Sequence, residues 1–171
     1  IVDTANQIYS EALVQYEELT DYEIGLGYTG NLLKANLNFY LMDYTNEIVS
    51  NGQLDNIGQP VYSNAGKSIH KGIEFEFEYN ILANITGRIN QKNQVLTLIG
   101  NLSLSDNYFV KYIEKLGVDT LGNVLYGNDN SGNKILLNPQ IIGNLSLNFG
   151  SDFGLGAFFA VQYIGKQYLD N

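Results

Sequence analysis

The sequence predicts an all-β fold in which about six strands form an antiparallel up-and-down meander. Apolar and polar residues alternate with a period of two in six segments, as expected of strands with one apolar face. The composition includes 13 tyrosines and 18 glycines but only 2 prolines in 171 residues, which suits strands joined by turns. Two connections are short and rich in Gly, Asn and Asp, which is typical of tight turns.

The strands are predicted near residues 19–29, 33–49, 69–80, 95–113, 139–149 and 155–168. Their apolar face is assigned to uncharged residues, namely Tyr22, Ile24, Leu26, Tyr28, Leu37, Phe39, Phe75, Phe77, Tyr79, Leu102, Leu145, Leu147, Phe149, Phe159 and Tyr163. The opposite face is assigned to Glu23, Lys34, Asn36, Asn38, Glu74, Glu76, Glu78, Asn101 and Asn144. Helix is predicted only near Ser10–Glu18, which begins like a capped turn.

The connections differ in length at the two ends of the predicted sheet. Short turns follow the first strand at Thr29–Asn31 and the fifth strand at Gly150–Gly154. The connections at the other end are predicted as long polar loops over residues 1–18, 51–68 and 114–138. Short turns on one side and long loops on the other are expected of a bacterial outer-membrane β-barrel. The link 81–94 lies on the short side and is interpreted as a strand extension or a small insert.

Aromatic residues mark both ends of the apolar faces. Tyr28, Tyr79 and Phe149 lie near the short turns, and Tyr22 and Tyr163 lie at the opposite end. Tyr22 and Tyr28 should be roughly 20 Å apart at the usual rise of a strand. Barrels that cross the outer membrane carry aromatic girdles around an apolar band about 25 Å tall. The spacing therefore favours a transmembrane barrel.

Six strands cannot close such a barrel, because closed outer-membrane barrels begin at about eight strands. An open sheet in lipid would leave unpaired backbone groups along each edge. Residues 1–171 are therefore predicted to be part of one β-barrel domain, an open section whose neighbouring strands lie elsewhere. A soluble β-sandwich used for binding or adhesion is the alternative, since its strands also have one apolar face.

Several function classes find little support in the residues. A net charge of −9 disfavours nucleic acid as a partner, and the chain has no cysteine for thiolate chemistry. No apolar run is long enough for a transmembrane helix. A single histidine, His70, cannot form a typical zinc site without cysteines. No catalytic residue, cofactor site or metal site is predicted, and the chain is not expected to be an enzyme.

Three short motifs have a simpler interpretation than the chemistry they resemble. Gly25-Leu-Gly-Tyr-Thr-Gly30 has the spacing of a dinucleotide fingerprint, but a strand follows where that motif needs a helix. The segment Asn128–Lys134 lacks the spaced acidic ligands of a calcium loop. The carboxylates of Glu74, Glu76 and Glu78 are interpreted as a wetted strand face, because catalysis also needs a pocket and a partner group.

Five strings, in order along the chain, carry a resemblance to a known family. They are YEELTDYEIG from Tyr16, ANLNFYLMDY from Ala35, NAGKSIHKGIEFE from Asn64, Asn138-Pro139, and KQYLDN from Lys166. Together they resemble the C-terminal barrel of TonB-dependent outer-membrane receptors, of the kind found in Bacteroidota. The resemblance implies a 22-stranded barrel around a plug domain, which is absent from this chain.

The resemblance also implies a function. It implies uptake of a scarce nutrient (an iron chelate, cobalamin or a glycan) across the bacterial outer membrane. The implied partners are membrane lipid, the rest of the barrel and its plug, the TonB complex, and an unidentified small ligand. Ligand contacts are expected from the regions 1–21, 51–68 and 114–138 and from the lumen wall. A passive porin-like barrel, or an outer-membrane enzyme on a smaller barrel, is the second hypothesis.

Overall fold

The computed structural model describes residues 14–54, 57–86 and 94–169. These residues contain one short helix, α1 (Ile81–Thr86), and eight strands: β1 (Glu18–Thr29), β2 (Leu33–Leu54), β3 (Pro60–Asn80), β4 (Val95–Lys111), β5 (Ile113–Val118), β6 (Val124–Asp129), β7 (Ile141–Gly150) and β8 (Gly156–Ile164). Six strands form one sheet in the order β1-β2-β3-β4-β7-β8, and β5 and β6 form a separate pair. The predicted all-β, antiparallel and open meander is confirmed.

The register is continuous from β1 to β8 through the middle of the large sheet, and it shifts only near the end with the long connections, between Ser50 and Leu54 and between Lys67 and Ser68. One row of directly opposed residues is Leu26, Leu37, Phe75, Leu102, Gly143 and Tyr163. The next row along is Gly27, Asn36, Glu76, Asn101, Asn144 and Gln162. Since side chains alternate between the two faces of a strand, the first row lies on one face and the second row on the other.

The apolar face of the sheet is uncovered. Ile24 and Leu26 are each 67% exposed, and Phe159 is 68% exposed. No second sheet packs against these residues in the part of the chain that the structure describes. The sandwich alternative required two sheets that face each other across a packed core, and it is therefore wrong.

The small apolar core lies at one end of the sheet. Ala65 on β3 and Phe109 on β4 pack with Tyr112 and Ile135, which belong to the connection between β4 and β7. The rings of Phe109 and Tyr112 are 4.7 Å apart, and the Tyr112 hydroxyl lies 3.4 Å from Ser63 Oγ. Burial raises the pKa of Tyr112. This core anchors the long connection to the end of the sheet.

Two predicted loops contain strands instead. The loop predicted over 51–68 is mostly strand, because β2 continues to Leu54 and β3 begins at Pro60. Past the apolar rows neither face is uniformly apolar, so the sequence does not alternate there. The backbones of β2 and β3 nevertheless continue to pair, and the strand cannot be recognised from its pattern. The loop predicted over 114–138 contains the hairpin of β5 and β6.

The β5–β6 turn is organised by one carboxylate. Asp119 Oδ1 accepts hydrogen bonds from the backbone N–H groups of Leu121 and Asn123, each at 2.8 Å, and Oδ2 accepts from Asn123 Nδ2 at 2.9 Å. The Asn123 side chain, followed by the backbone donors, lowers the pKa of Asp119. A carboxylate that ties down its own turn in this way is typical of Asx-type loops.

The opposite end of the sheet has the two short turns. The backbone N–H of Ser151 donates to the carbonyl of Leu155 at 2.9 Å, and Gly154 adopts a φ of 89° that favours glycine. The link 81–94 begins with α1, whose N-terminus is capped by Asn80 Oδ1 at 2.9 Å from the Ala83 N–H. Residues 87–93 of this link lie outside the described residues.

The remaining differences from the predicted elements concern their ends. The helix predicted near Ser10–Glu18 is absent from residues 14–18, where β1 begins at Glu18, and residues 10–13 lie outside the described residues. β4 ends at Lys111, and β8 ends at Ile164 rather than at 168. No helix in the described ranges has the length and apolar character needed to cross a membrane.

We predict that Gly72→Ala destabilises the sheet. A Cβ added at Gly72 would lie 2.5 Å from the Leu104 carbonyl oxygen and 2.6 Å from the Tyr40 hydroxyl, so backbone would have to move. Overpacking of this kind typically costs about 1–3 kcal/mol. Gly143→Ala is the matched control, because its nearest contact would be an ordinary 3.6 Å. Urea unfolding of the refolded barrel in detergent measures both, and equal stabilities of the two variants would contradict the prediction.

Candidate ligand-binding wall

The polar face of the sheet carries amide and charged side chains on five strands, which we call the polar wall. Its members are Glu23, Lys34, Asn36, Asn38, Glu74, Glu76, Glu78, Asn101 and Asn144. Asn36 Nδ2 donates to Glu76 Oε1 at 2.7 Å, and Lys34 Nζ lies 3.3 Å from Glu78 Oε2. Each pair joins directly opposed residues of β2 and β3, so the register itself creates the contacts.

The polar wall continues onto the other strands. Asn38 Nδ2 donates to Glu23 Oε2 at 3.4 Å, which links β2 to β1. Asn144 Nδ2 donates to Asn101 Oδ1 at 2.8 Å, which links β7 to β4. The structure therefore brings all nine predicted polar residues onto one face across five strands.

Shallow open grooves run between the side chains of the polar wall. One, of about 370 Å³, is lined by Asn36, Asn38, Glu74, Phe75, Glu76, Asn101, Leu102 and Ser103. Another, of about 280 Å³, is lined by Ile99, Asn101, Asn144, Leu145, Ser146, Ala160, Val161 and Gln162. Amide groups can donate and accept hydrogen bonds, and carboxylates accept them, so this surface suits a polar, hydroxyl-rich or cationic solute.

The three carboxylates on β3 lie on the polar wall. Glu76 and Glu78 are held by Asn36 and Lys34. Residues two apart on one face of a strand are separated by roughly 7 Å, which is too far for a carboxylate dyad that shares a proton. Among the described residues, no group of three or more His, Cys, Asp or Glu side chains could hold a metal ion.

A second polar cluster lies at the end of the sheet with the long connections. Glu47 on β2 accepts hydrogen bonds from Ser68 Oγ and approaches His70 Nε2 at 3.1 Å. The His70 ring packs on Tyr44, with centroids 5.0 Å apart. Ser68 is fully buried. Sequence reasoning missed this cluster, because only the pairing of β2 with β3 brings Glu47 to Ser68 and His70.

The residues that carry the family resemblance have structural roles at the same end. Asn64 Nδ2 donates to the carbonyls of Asn46 at 2.6 Å and Gln15 at 3.0 Å. Asn46 has a φ of 58°, which a short polar side chain tolerates. Glu17 accepts a hydrogen bond from the Ile48 N–H at 2.8 Å. These contacts tie the segment before β1 to β2 and β3.

The apolar rows are displaced along the strands from one side of the sheet to the other. Tyr22 on β1 is in register with Leu41, Lys71 and Asp106. Tyr163 on β8 is in register with Leu26 on β1 rather than with Tyr22. Strands tilted against a common axis produce such a stagger. A staggered apolar band on one face and a polar wall on the other define a section of a transmembrane β-barrel.

The chain belongs to the family of TonB-dependent receptor-like β-barrels, whose family model matches residues 4–171. This is a family of outer-membrane transport receptors of Gram-negative bacteria rather than a family of enzymes. Among solved structures, the FrpB iron transporter from Neisseria meningitidis (F3-3 variant) is similar in fold, with a TM-score of 0.51 and 18% identity. The similarity covers 86% of this chain and 19% of that protein. No curated protein sequence matches the chain.

We predict that Glu47→Ala destabilises the barrel section by about 1–3 kcal/mol, because the buried Ser68 hydroxyl loses its partner. Glu78→Ala is the control, since its exposed pair with Lys34 should contribute less than about 1 kcal/mol. The free energy of unfolding in urea measures both changes. A loss of unfolding free energy that is no larger for Glu47→Ala than for Glu78→Ala would contradict the prediction.

Proposed function

We propose that this chain forms part of the barrel wall of a TonB-dependent receptor that imports a scarce nutrient through the bacterial outer membrane. The apolar rows face lipid and the polar wall faces the lumen. The observation that carries this proposal is the separation of the two faces across the six paired strands. Neighbouring residues such as Asn101 and Leu102 point to opposite sides and are suited to opposite solvents.

The position of the long connections supports an orientation. The long β4–β7 connection, residues 112–140, leaves the sheet at the end opposite to the short turns, and β2 and β3 extend past the apolar rows at that same end, to Leu54 and from Pro60. In outer-membrane barrels the long connections are extracellular and the short turns are periplasmic. On this basis the small core around Phe109 and the β5–β6 hairpin belong to the outer surface, where a ligand would first be met.

The nutrient class has three candidates: an iron chelate, cobalamin or a glycan. The amides and carboxylates of the polar wall suit hydrated, hydrogen-bonding solutes, which all three are. The fold similarity to FrpB is compatible with iron uptake. Energy for import would come from the TonB complex acting through the plug domain, which lies outside this chain.

We predict that Leu102→Arg destabilises the membrane-inserted barrel by about 2–4 kcal/mol, because an arginine on the lipid face must be accommodated in hydrocarbon. Asn101→Arg, one residue away on the same strand, should cost much less because its side chain points to a water-filled lumen. Unfolding in urea from lipid vesicles gives both values.

This pair also discriminates between the two possible solvents of the apolar face. Both substitutions introduce the same side chain at adjacent positions of β4, so the cost of placing an arginine in the strand backbone is common to both. Equal tolerance of arginine at 101 and 102 would contradict a lipid-facing Leu102. A larger cost at Asn101 would reverse the assigned faces.

The uptake activity is tested in cells that lack the complete gene. We expect uptake of one class of nutrient, measured with labelled ferric chelate, cobalamin and oligosaccharide, to be lost. Deletion of TonB should abolish the same uptake, and the restored gene should recover it. Unchanged uptake of all three nutrients would contradict active import, and uptake that persists without TonB would indicate a passive porin-like barrel.

A further inference from the structure

The apolar face of the sheet ends abruptly in charge, at the end with the long connections. Ile73 is paired with Leu104, and the next row on the same face pairs Lys71 with Asp106. Beyond it Tyr108 lies opposite Lys134, which comes from the β4–β7 connection. We call Lys71, Asp106, Tyr108 and Lys134 the lysine cluster. It lies on the face that carries the apolar rows, whereas the polar wall lies on the other face.

The geometry of the lysine cluster is compact. Lys71 Nζ lies 3.5 Å from Asp106 Oδ2, and Lys134 Nζ contacts Asp106 Oδ1. The two ammonium groups also lie 5.2 and 5.6 Å from the centroid of the Tyr108 ring. All three charged side chains remain between 35% and 46% exposed. Two cations therefore share one anion and one aromatic ring at a surface that is still open.

The charge balance of the lysine cluster is unusual for this chain. Two ammonium groups face one carboxylate, which leaves one positive charge uncompensated, although the chain as a whole carries −9. The adjacent Lys67 is paired separately with Asp43 at 3.0 Å, so this pair adds no net charge to the cluster. The excess of positive charge thus lies at the border of the apolar band.

We propose that the lysine cluster binds the phosphate group of a lipid in the outer leaflet of the membrane. This inference rests on the proposed membrane orientation. A lysine ammonium group binds phosphate as a point charge, and basic residues beside a transmembrane segment recognise anionic headgroups. A lipid whose chains cover Ile73 and Leu104 would bring its headgroup to the level of Lys71 and Lys134.

Asp106 sets the strength of this binding. It holds the two lysines together, but its carboxylate also competes with phosphate for both ammonium groups. Its neutral replacement should therefore tighten phosphate binding, whereas a purely internal salt bridge would only lose stability. Tyr108 supplies an aromatic surface that keeps the ammonium groups near each other without neutralising them.

The test uses the intact receptor in detergent, with native mass spectrometry to measure bound diphosphoryl lipid A, dephosphorylated lipid A and inorganic phosphate. We expect the receptor to prefer diphosphoryl lipid A. The double variant Lys71→Gln/Lys134→Gln should bind it about tenfold more weakly or worse. Asp106→Asn should bind it several-fold more tightly, because one competing negative charge is removed and a single charge near the membrane surface changes binding by about that factor. Lys34→Gln, on the polar wall, is the matched control and should bind like the wild type.

Each alternative outcome identifies a different error. Equal binding by the wild type and the double variant, or equal binding of lipid A with and without phosphate, would overturn the proposal. Weaker binding of lipid A by Asp106→Asn would also overturn it. Tight binding of inorganic phosphate, with no preference for the lipid, would overturn it as well and would indicate a site for free anions. A difference in mobility between heated and unheated samples in denaturing gels confirms that each variant barrel is folded. If import fails in cells but lipid discrimination holds, only the proposed transport activity is contradicted.

Discussion

The antiparallel register that runs through the apolar band from β1 to β8 determines the position of the other features. In hydrocarbon no water is present to satisfy a backbone N–H or C=O, so each must bond to a neighbouring strand. That requirement holds the strands in register, and the register then assigns alternate residues to opposite faces. A slip of one residue in the pairing of β4 with its neighbours would move Asn101 to the apolar face and Leu102 to the polar wall.

The strands inside the apolar band were predictable, because burial of one face imposes a period of two on the sequence. The extensions of β2 and β3 could not be predicted, because past the band neither face is uniformly apolar. Backbone pairing alone leaves no alternation of apolar and polar residues in the sequence. The β5–β6 hairpin was hidden for the same reason. The period of two places the polar residues of each strand on one face, but their individual pairs, such as Asn36 with Glu76, depend on a register that no single strand encodes.

The two polar clusters near the long connections show a further limit of sequence reasoning. Glu47 contacts Ser68 and His70, and Lys71 contacts Asp106, between consecutive strands whose contacting residues are well separated in the sequence. Lys71 lies on the apolar face by its position in the alternation, but it is charged where the residues of the apolar rows are not. This charged residue was the signal that could have indicated the cluster. By contrast, Asn64 and Glu17 were recognised as part of family strings, although their contacts stabilise the fold and do not identify a ligand.

The uncovered apolar rows of β1 and β8 have a consequence for the behaviour of the sheet in water. Ile24, Leu26 and Phe159 keep about two-thirds of their surface exposed in the sheet, so forming the sheet in water hides only a minor part of their apolar surface. The edges of β1 and β8 also offer backbone groups to any passing strand. Exposed apolar rows and unpaired strand edges together make such a sheet prone to self-association in water.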